Sequence, residues 1–193
     1  MKLYIKSAIM NPIDEDFDAK KEIAKQSAID DTISTLSNDT NQYVRVNVAK
    51  NRNTSPELLT KLATDRSNKV KIAVAGNPNT PAEVLRNIQP NDCDVVMDYR
   101  FLGALLKNPN TPVDYRKELI DRIYISRYKC PSYSRDIEIL RNLVSNKRTP
   151  KELVDSIEQQ EIELLRYWRQ KVPEAYNDDY SSPILVALGY AQD

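Results

Sequence analysis

Apolar positions between residues 39 and 88 follow one pattern twice. The first copy, residues 39–63, reads DTNQYVRVNVAKNRNTSPELLTKLA, and the second, residues 65–88, reads DRSNKVKIAVAGNPNTPAEVLRNI. A shift of 26 residues lays Val44 on Val70, Val48 on Val74, Ala49 on Ala75, Leu59 on Leu85 and Leu62 on Ile88. Asp39 falls on Asp65, Asn51 on Asn77, Asn53 on Asn79, Thr54 on Thr80 and Glu57 on Glu83 by the same shift. A fixed period of this length marks a chain built from stacked supersecondary units.

The first half of each copy is ambiguous alone. Val44, Val46 and Val48 alternate, as do Val70, Ile72 and Val74, and β-branched alternation argues for a strand. Two later copies, residues 94–108 and 136–146, decide for helix. Tyr99, Leu102, Leu105 and Leu106 in one, and Ile139, Leu140, Leu143 and Val144 in the other, have helical spacing. An apolar residue stands seven before the asparagine in every copy: Val44, Val70, Phe101 and Ile139. Asn51, Asn77, Asn108 and Asn146 are expected to end that helix in the left-handed conformation, which asparagine tolerates. A tight turn then leads to Thr54, Thr80, Thr111 or Thr149 as the cap of a second helix. Thr80-Pro81-Ala82-Glu83 reads as a capping box with proline at the first helical position, and Thr54 with Glu57 repeats it.

The unit is therefore helix, turn, helix, and neither helix has an apolar face wide enough to stand alone. The expected fold is all-α, an α-α superhelix of about four to five helix pairs. Residues 1–13 form an arm, and residues 14–157 the repeat domain, with units at about 14–38, 39–64, 65–90, 91–124 and 136–157. The first unit is a degenerate cap, helical from Asp14 to Leu36. Residues 126–135 (SRYKCPSYSR) read as an inserted loop. The last helix is expected to run on to about Lys171 with Leu153, Ile157, Leu164 and Trp168 on one face, and Pro173 stops it. Within the extension 158–193, the apolar segment 183–189 folds back as a lid, with a partner-docking peptide as the alternative.

The pattern D…VR..VA.N..TSPELL..LA.D resembles the leucine-rich repeat variant proteins and, more distantly, HEAT-like repeats, over roughly residues 28–157. The resemblance implies a right-handed stack of paired helices, one of each pair 3₁₀ in some members, and a binding role with no catalytic residue. The family's period is somewhat shorter than 26. Some relatives carry an amino-terminal cysteine cluster for an iron–sulfur centre; the first cysteine of this chain is Cys93, so that feature does not carry over.

The 193 residues carry no net charge, so no global field pulls the chain toward nucleic acid or membrane. The distribution is uneven: residues 44–89 hold eight Lys and Arg against three Asp and Glu, while both ends are acidic. Cys93 and Cys130 form no zinc or redox motif and read as reduced thiols of a cytoplasmic protein. No apolar run approaches a membrane span, and the first residues lack the apolar core of a secretory signal. The lean toward Asn, Lys, Ile and Tyr points to an AT-rich coding genome, bacterial or phage.

Histidine is absent and glycine occurs three times, which leaves no Ser/His or Cys/His pair and no glycine-rich phosphate loop. No cofactor, metal site or catalytic residue is expected. The acidic pairs Asp30-Asp31 and Asp178-Asp179, and Asp92 and Asp94 beside Cys93, read as solvated helix ends and turns. The candidate binding residues are Arg45, Lys50, Arg52, Arg66, Lys69 and Lys71, a basic ridge across the central copies, with Tyr128 and Tyr133 in the insertion. The blander alternative pairs Arg45 and Lys71 with Asp39 and Asp65 of the preceding turns. The leading expectation is a non-enzymatic protein–protein interaction module; the rival is a nucleic-acid-binding stack using the ridge, with salt-sensitive affinity.

Overall fold

The structure, a computed structural model, describes residues 17–27, 30–89, 99–129, 134–173, 175–176 and 182–190. Among them there are eleven helices and no strand. The helices are α1 (Phe17–Gln26), α2 (Asp30–Leu36), α3 (Gln42–Lys50), α4 (Pro56–Leu62), α5 (Asn68–Gly76), α6 (Ala82–Asn87), α7 (Tyr99–Lys107), α8 (Val113–Lys129), α9 (Ser134–Ser145), α10 (Lys151–Lys171) and α11 (Pro183–Ala187). The chain divides into two compact units, Met1–Thr111 and Pro112–Asp193. That division falls inside the third expected repeat. The arm 1–13 lies outside the described residues.

In the first unit the first helix of each pair packs on its successor, α1 on α3, α3 on α5 and α5 on α7, while α2 packs on α1 and α3, and α4 on α5. The β-branched alternation of α3 and α5 has a helical explanation. Val44 and Val48, like Val70 and Val74, are fully buried one turn apart, whereas Val46 and Ile72 are half-buried on the outer side. The second helices contribute Leu59, Leu62 and Leu85 to the same interior. The single helix expected over 14–36 is two, α1 and α2.

The repeated polar residues act differently from their expected roles. Asn51 and Asn77 end α3 and α5 in extended backbone, with φ of −67° and −80°, not in the left-handed region. Their side chains explain the choice. Asn77 Nδ2 donates to the carbonyls of Ala49 (2.7 Å) and Asn51 (2.9 Å) in the preceding pair, and its Oδ1 accepts from the Asn79 N–H at 2.9 Å. Asn51 does the same to Ala24 and Ser27. Asn108 does it to Ala75 and Asn77. One amide thereby closes its own turn and satisfies two buried carbonyls of the pair before it, groups that would otherwise cost about 1–3 kcal/mol each.

The threonines are not helix caps. Thr54, Thr80, Thr111 and Thr149 donate back to the carbonyls of Val48, Val74, Leu105 and Leu143, satisfying a last-turn oxygen of the preceding helix. Ser55 caps α4, accepting from the Leu58 N–H, and Pro81 stands at the cap position of α6 with no side-chain bond. The Glu57 carboxyl is held below its ordinary range by its own backbone N–H and the Ser55 hydroxyl, but with Ser55 as cap it is the second helical residue and the reciprocal box is not made. At Thr80 no box forms.

In the second unit α8 packs on α10, α9 on α10 and α11, and α10 on α11. One expectation changes. Residues 126–129 of the supposed insertion continue α8 as helix, and 130–133 fall outside the described residues. Helix α10 does reach Lys171, with Leu153, Ile157 and Leu164 buried, and α11 lies on the unit with Ile184 fully buried. No described helix is long and apolar enough to cross a membrane.

Candidate docking surface

The three first helices α3, α5 and α7 carry six Lys and Arg and no Asp or Glu. Two of the six are internal. Arg45 is 6% exposed; its Nε and Nη2 meet both oxygens of Asp65 at 2.7 and 3.0 Å, and Nη1 donates to the carbonyls of Asp39 and Thr40. Lys71, 9% exposed, donates to the Gln89 carbonyl at 2.9 Å. Lys20, in the corresponding place on α1, lies 3.6 Å from Asp39. A cation from each of α1, α3 and α5 thus reaches the turn that follows the next helix, one step further along the chain than the sequence pairing assumed. Burial tends to raise the Asp65 carboxyl, but the Arg45 guanidinium and the Ser67 N–H outweigh it and hold the group below its usual range. Arg45 and Lys71 therefore tie pairs together beneath the surface and do not form an outer ridge.

The other four cations of these helices, Lys50, Lys69, Arg100 and Lys107, are exposed, as are Arg52 and Arg66 in the turns. Lys50 and Lys107 occupy the last helical position, where the helix dipole favours a cation. Lys69 and Arg100 do not share that reason. Each is the second residue of its helix, where the dipole favours an anion and a cation costs about 0.3–1 kcal/mol. Lys69 Nζ donates to the Tyr43 hydroxyl at 2.8 Å and lies 4.6 Å from its ring centre, which lowers the phenol pKa. Tyr43 itself is 45% exposed. Val46, Ile72 and Ala104 are half-buried between the two sets of cations. Arg66 lines a groove of about 420 Å³ with Thr40, Asn41, Gln42, Arg45 and Ser67.

Tyr128 is in the second unit, on α8 and not in a loop. It is half-buried and meets Tyr167 edge-to-face at 5.1 Å. Burial, with the Glu163 and Glu161 carboxylates, raises its pKa. Tyr133 lies outside the described residues, as do Asp92, Cys93, Asp94, Asp178 and Asp179. Among the described residues no group of three or more Cys, Asp or Glu is placed to hold a metal ion.

Two features escaped the sequence reading. Arg100 and Lys107 belong to the basic face; the signal was their register, seven and zero positions before the last residue of α7, matching Lys69 and Gly76 of α5. The second is a buried polar knot in the second unit. Glu161, 1% exposed, accepts from both terminal nitrogens of Arg127, from the Tyr124 hydroxyl at 3.0 Å and from the Ser182 hydroxyl at 2.6 Å. Burial, then the Glu161 charge, pushes the Tyr124 phenol far up, so it stays a donor. A carboxylate four residues after Ile157 and three before Leu164, in the middle of an apolar face, was the available sign.

The fold defines a class, all-α with sequentially packed helices. Comparison with protein-family models, with curated proteins and with solved structures finds no match to this chain.

Proposed function

We propose that this chain is a non-enzymatic protein-binding module, an α-solenoid of the leucine-rich repeat variant or HEAT-like kind, that holds a protein partner on the outer face of α3, α5 and α7. Three consecutive asparagines making the same pair-to-pair bonds support the solenoid reading, because one bonding pattern repeated at each step places each pair on its neighbour in the same way. The observation that carries the binding reading is the placement of Lys69 and Arg100. Both stand exposed at helix starts, where their charge works against the helix. With Lys50 and Lys107 they make four exposed cations on α3, α5 and α7, helices that carry no Asp or Glu, and such a face suits an anionic partner.

A photo-crosslinking side chain in place of Val46, in cells that make the protein, tests this reading. Protease-sensitive, nuclease-resistant adducts are expected, above those from the same group at Asn87 on α6. Nuclease-sensitive adducts would replace this reading with the nucleic-acid one, and adducts no stronger than at Asn87 would remove the surface altogether.

A further inference from the structure

Resting on the protein-binding reading, we infer that the partner element seated on α3, α5 and α7 is an acidic peptide in extended form, with carboxylates about three residues apart and apolar side chains between them. Packed helices lie about 8–10 Å apart, so Lys69 and Arg100, at the same position of α5 and α7, stand about one such interval apart, and Lys50 and Lys107, on α3 and α7, about two. Three residues of extended chain in the polyproline II form span about 9 Å and return a side chain to the same face, which sets successive carboxylates one helix spacing apart.

The face is not uniformly polar. Lys69 and Arg100 mark one edge, at the starts of α5 and α7, and Lys50 and Lys107 the other, at the ends of α3 and α7. Between the edges run Val46, Ile72 and Ala104, each half-buried. In the second edge Gly76 takes the place a lysine has in α3 and α7. It is exposed, and a Cβ built there would meet nothing closer than the Ala104 Cβ at 3.9 Å. The lysine row therefore has a gap at Gly76, where an added Cβ would come into ordinary contact with the Ala104 methyl. A phosphate backbone asks for cations alone and gains nothing from an apolar strip or a gap. An acidic peptide with an aliphatic side chain uses all three, the cations at both edges, the strip and the gap.

The test uses the full chain and fluorescent peptides of about twelve residues, roughly the length that crosses three helices. The probe repeats Glu-Leu-Ser, the control Gln-Leu-Ser, and random-sequence duplex DNA forms a third arm. Binding of the Glu peptide near 50 mM salt is expected, about tenfold tighter than the Gln peptide. Lys69→Glu with Arg100→Glu, and separately Lys50→Glu with Lys107→Glu, should each weaken it about tenfold, while Lys61→Glu on α4 leaves it within about twofold. Circular dichroism confirms that the variants fold; if a reversal does not, the Gln substitutions at the same positions should still weaken binding about threefold. Equal affinity for the Glu and Gln peptides, or loss from Lys61→Glu as large as from the edge pairs, overturns this inference. Protein adducts at Val46 would survive either result, so the two readings fail separately. Duplex binding that the edge variants abolish, without peptide binding, overturns both.

Discussion

The two units bury polar side chains in different ways. The first repeats a neutral amide along its length, one asparagine for each step between helix pairs, and sets the Arg45–Asp65 pair and Lys71 beside that series. The second gathers charge at one point, where Glu161 holds Arg127, Tyr124 and Ser182. An amide has donors and an acceptor and no charge to desolvate, so it can be repeated at modest cost. A buried carboxylate is tolerated only where enough donors converge on it, and among the described residues Glu161 is the most deeply buried one. The difference teaches where each unit is vulnerable: the first at any of several equal places, the second at one.

The largest expected effect is Glu161→Ala. It strands Arg127, a residue only 5% exposed, without its carboxylate and should cost about 3–5 kcal/mol. Trp168, the single tryptophan, stands on α10 of the same unit, so its fluorescence in a urea titration reports the loss directly. Glu161→Ala with Arg127→Met should recover much of it, because no charge is then left buried. A double variant as weak as the single one would mean that packing, not charge, dominates the knot.

Asn77→Ala comes next. Two buried carbonyls lose their donor, and the expected cost is about 2–4 kcal/mol, read from the far-ultraviolet helix signal. Asn77→Asp should be worse, since it turns an acceptor toward both carbonyls. If Asn77→Ala cost no more than an exposed substitution such as Asn87→Ala, the amides would not carry the contrast drawn between the units.

The Arg45–Asp65 pair gives a pH signature of similar or smaller size. The folded Asp65 carboxyl titrates below its ordinary value, so its contribution to stability is complete above the unfolded value of about 3.9 and disappears as pH falls through the folded one. Asp65→Asn should therefore flatten the loss of stability below about pH 4, measured by urea titration at stepped pH. An unchanged slope would place the acid sensitivity elsewhere.

Ser182→Ala should have the smallest effect, about 1 kcal/mol, because it removes the bond to Glu161 and the cap on Ile184 while leaving Ile184 in its pocket. Faster amide hydrogen exchange over 184–190, with α8 and α10 unchanged, is the expected readout.

The helical pairs were legible because periodicity reports burial, and burial of Val44, Val48, Val70 and Val74 is a local property of each helix. The asparagine column was legible as a frame but not as a fastener. Its partners lie 24 to 33 residues back, and backbone carbonyls leave no trace in sequence. Thr80 misled because Thr-Pro-Ala-Glu is a sound capping signal, and the competing Val74 carbonyl, six residues earlier, is equally invisible. Residues 126–129 were read as loop from Ser, Pro and Tyr content, although Ile123, Tyr124 and Arg127 already continued a buried face. Of the basic face, type and position were readable. Which cations turn inward was not, since Arg45 and Lys69 differ only by where they stand around their helices.

The asparagine bonds all point one way along the chain. Asn51, Asn77 and Asn108 each bring an amide to two carbonyls of the pair before, and the copies ending at Asn51 and Asn77 leave two for the copy that follows. A whole copy can therefore be inserted between two others, or removed, with every donor still meeting an acceptor, whereas a partial one leaves oxygen atoms stranded. Lengthening by tandem duplication is in this sense built into the bonding, and the unit that duplicates is set by the distance from one asparagine to the next.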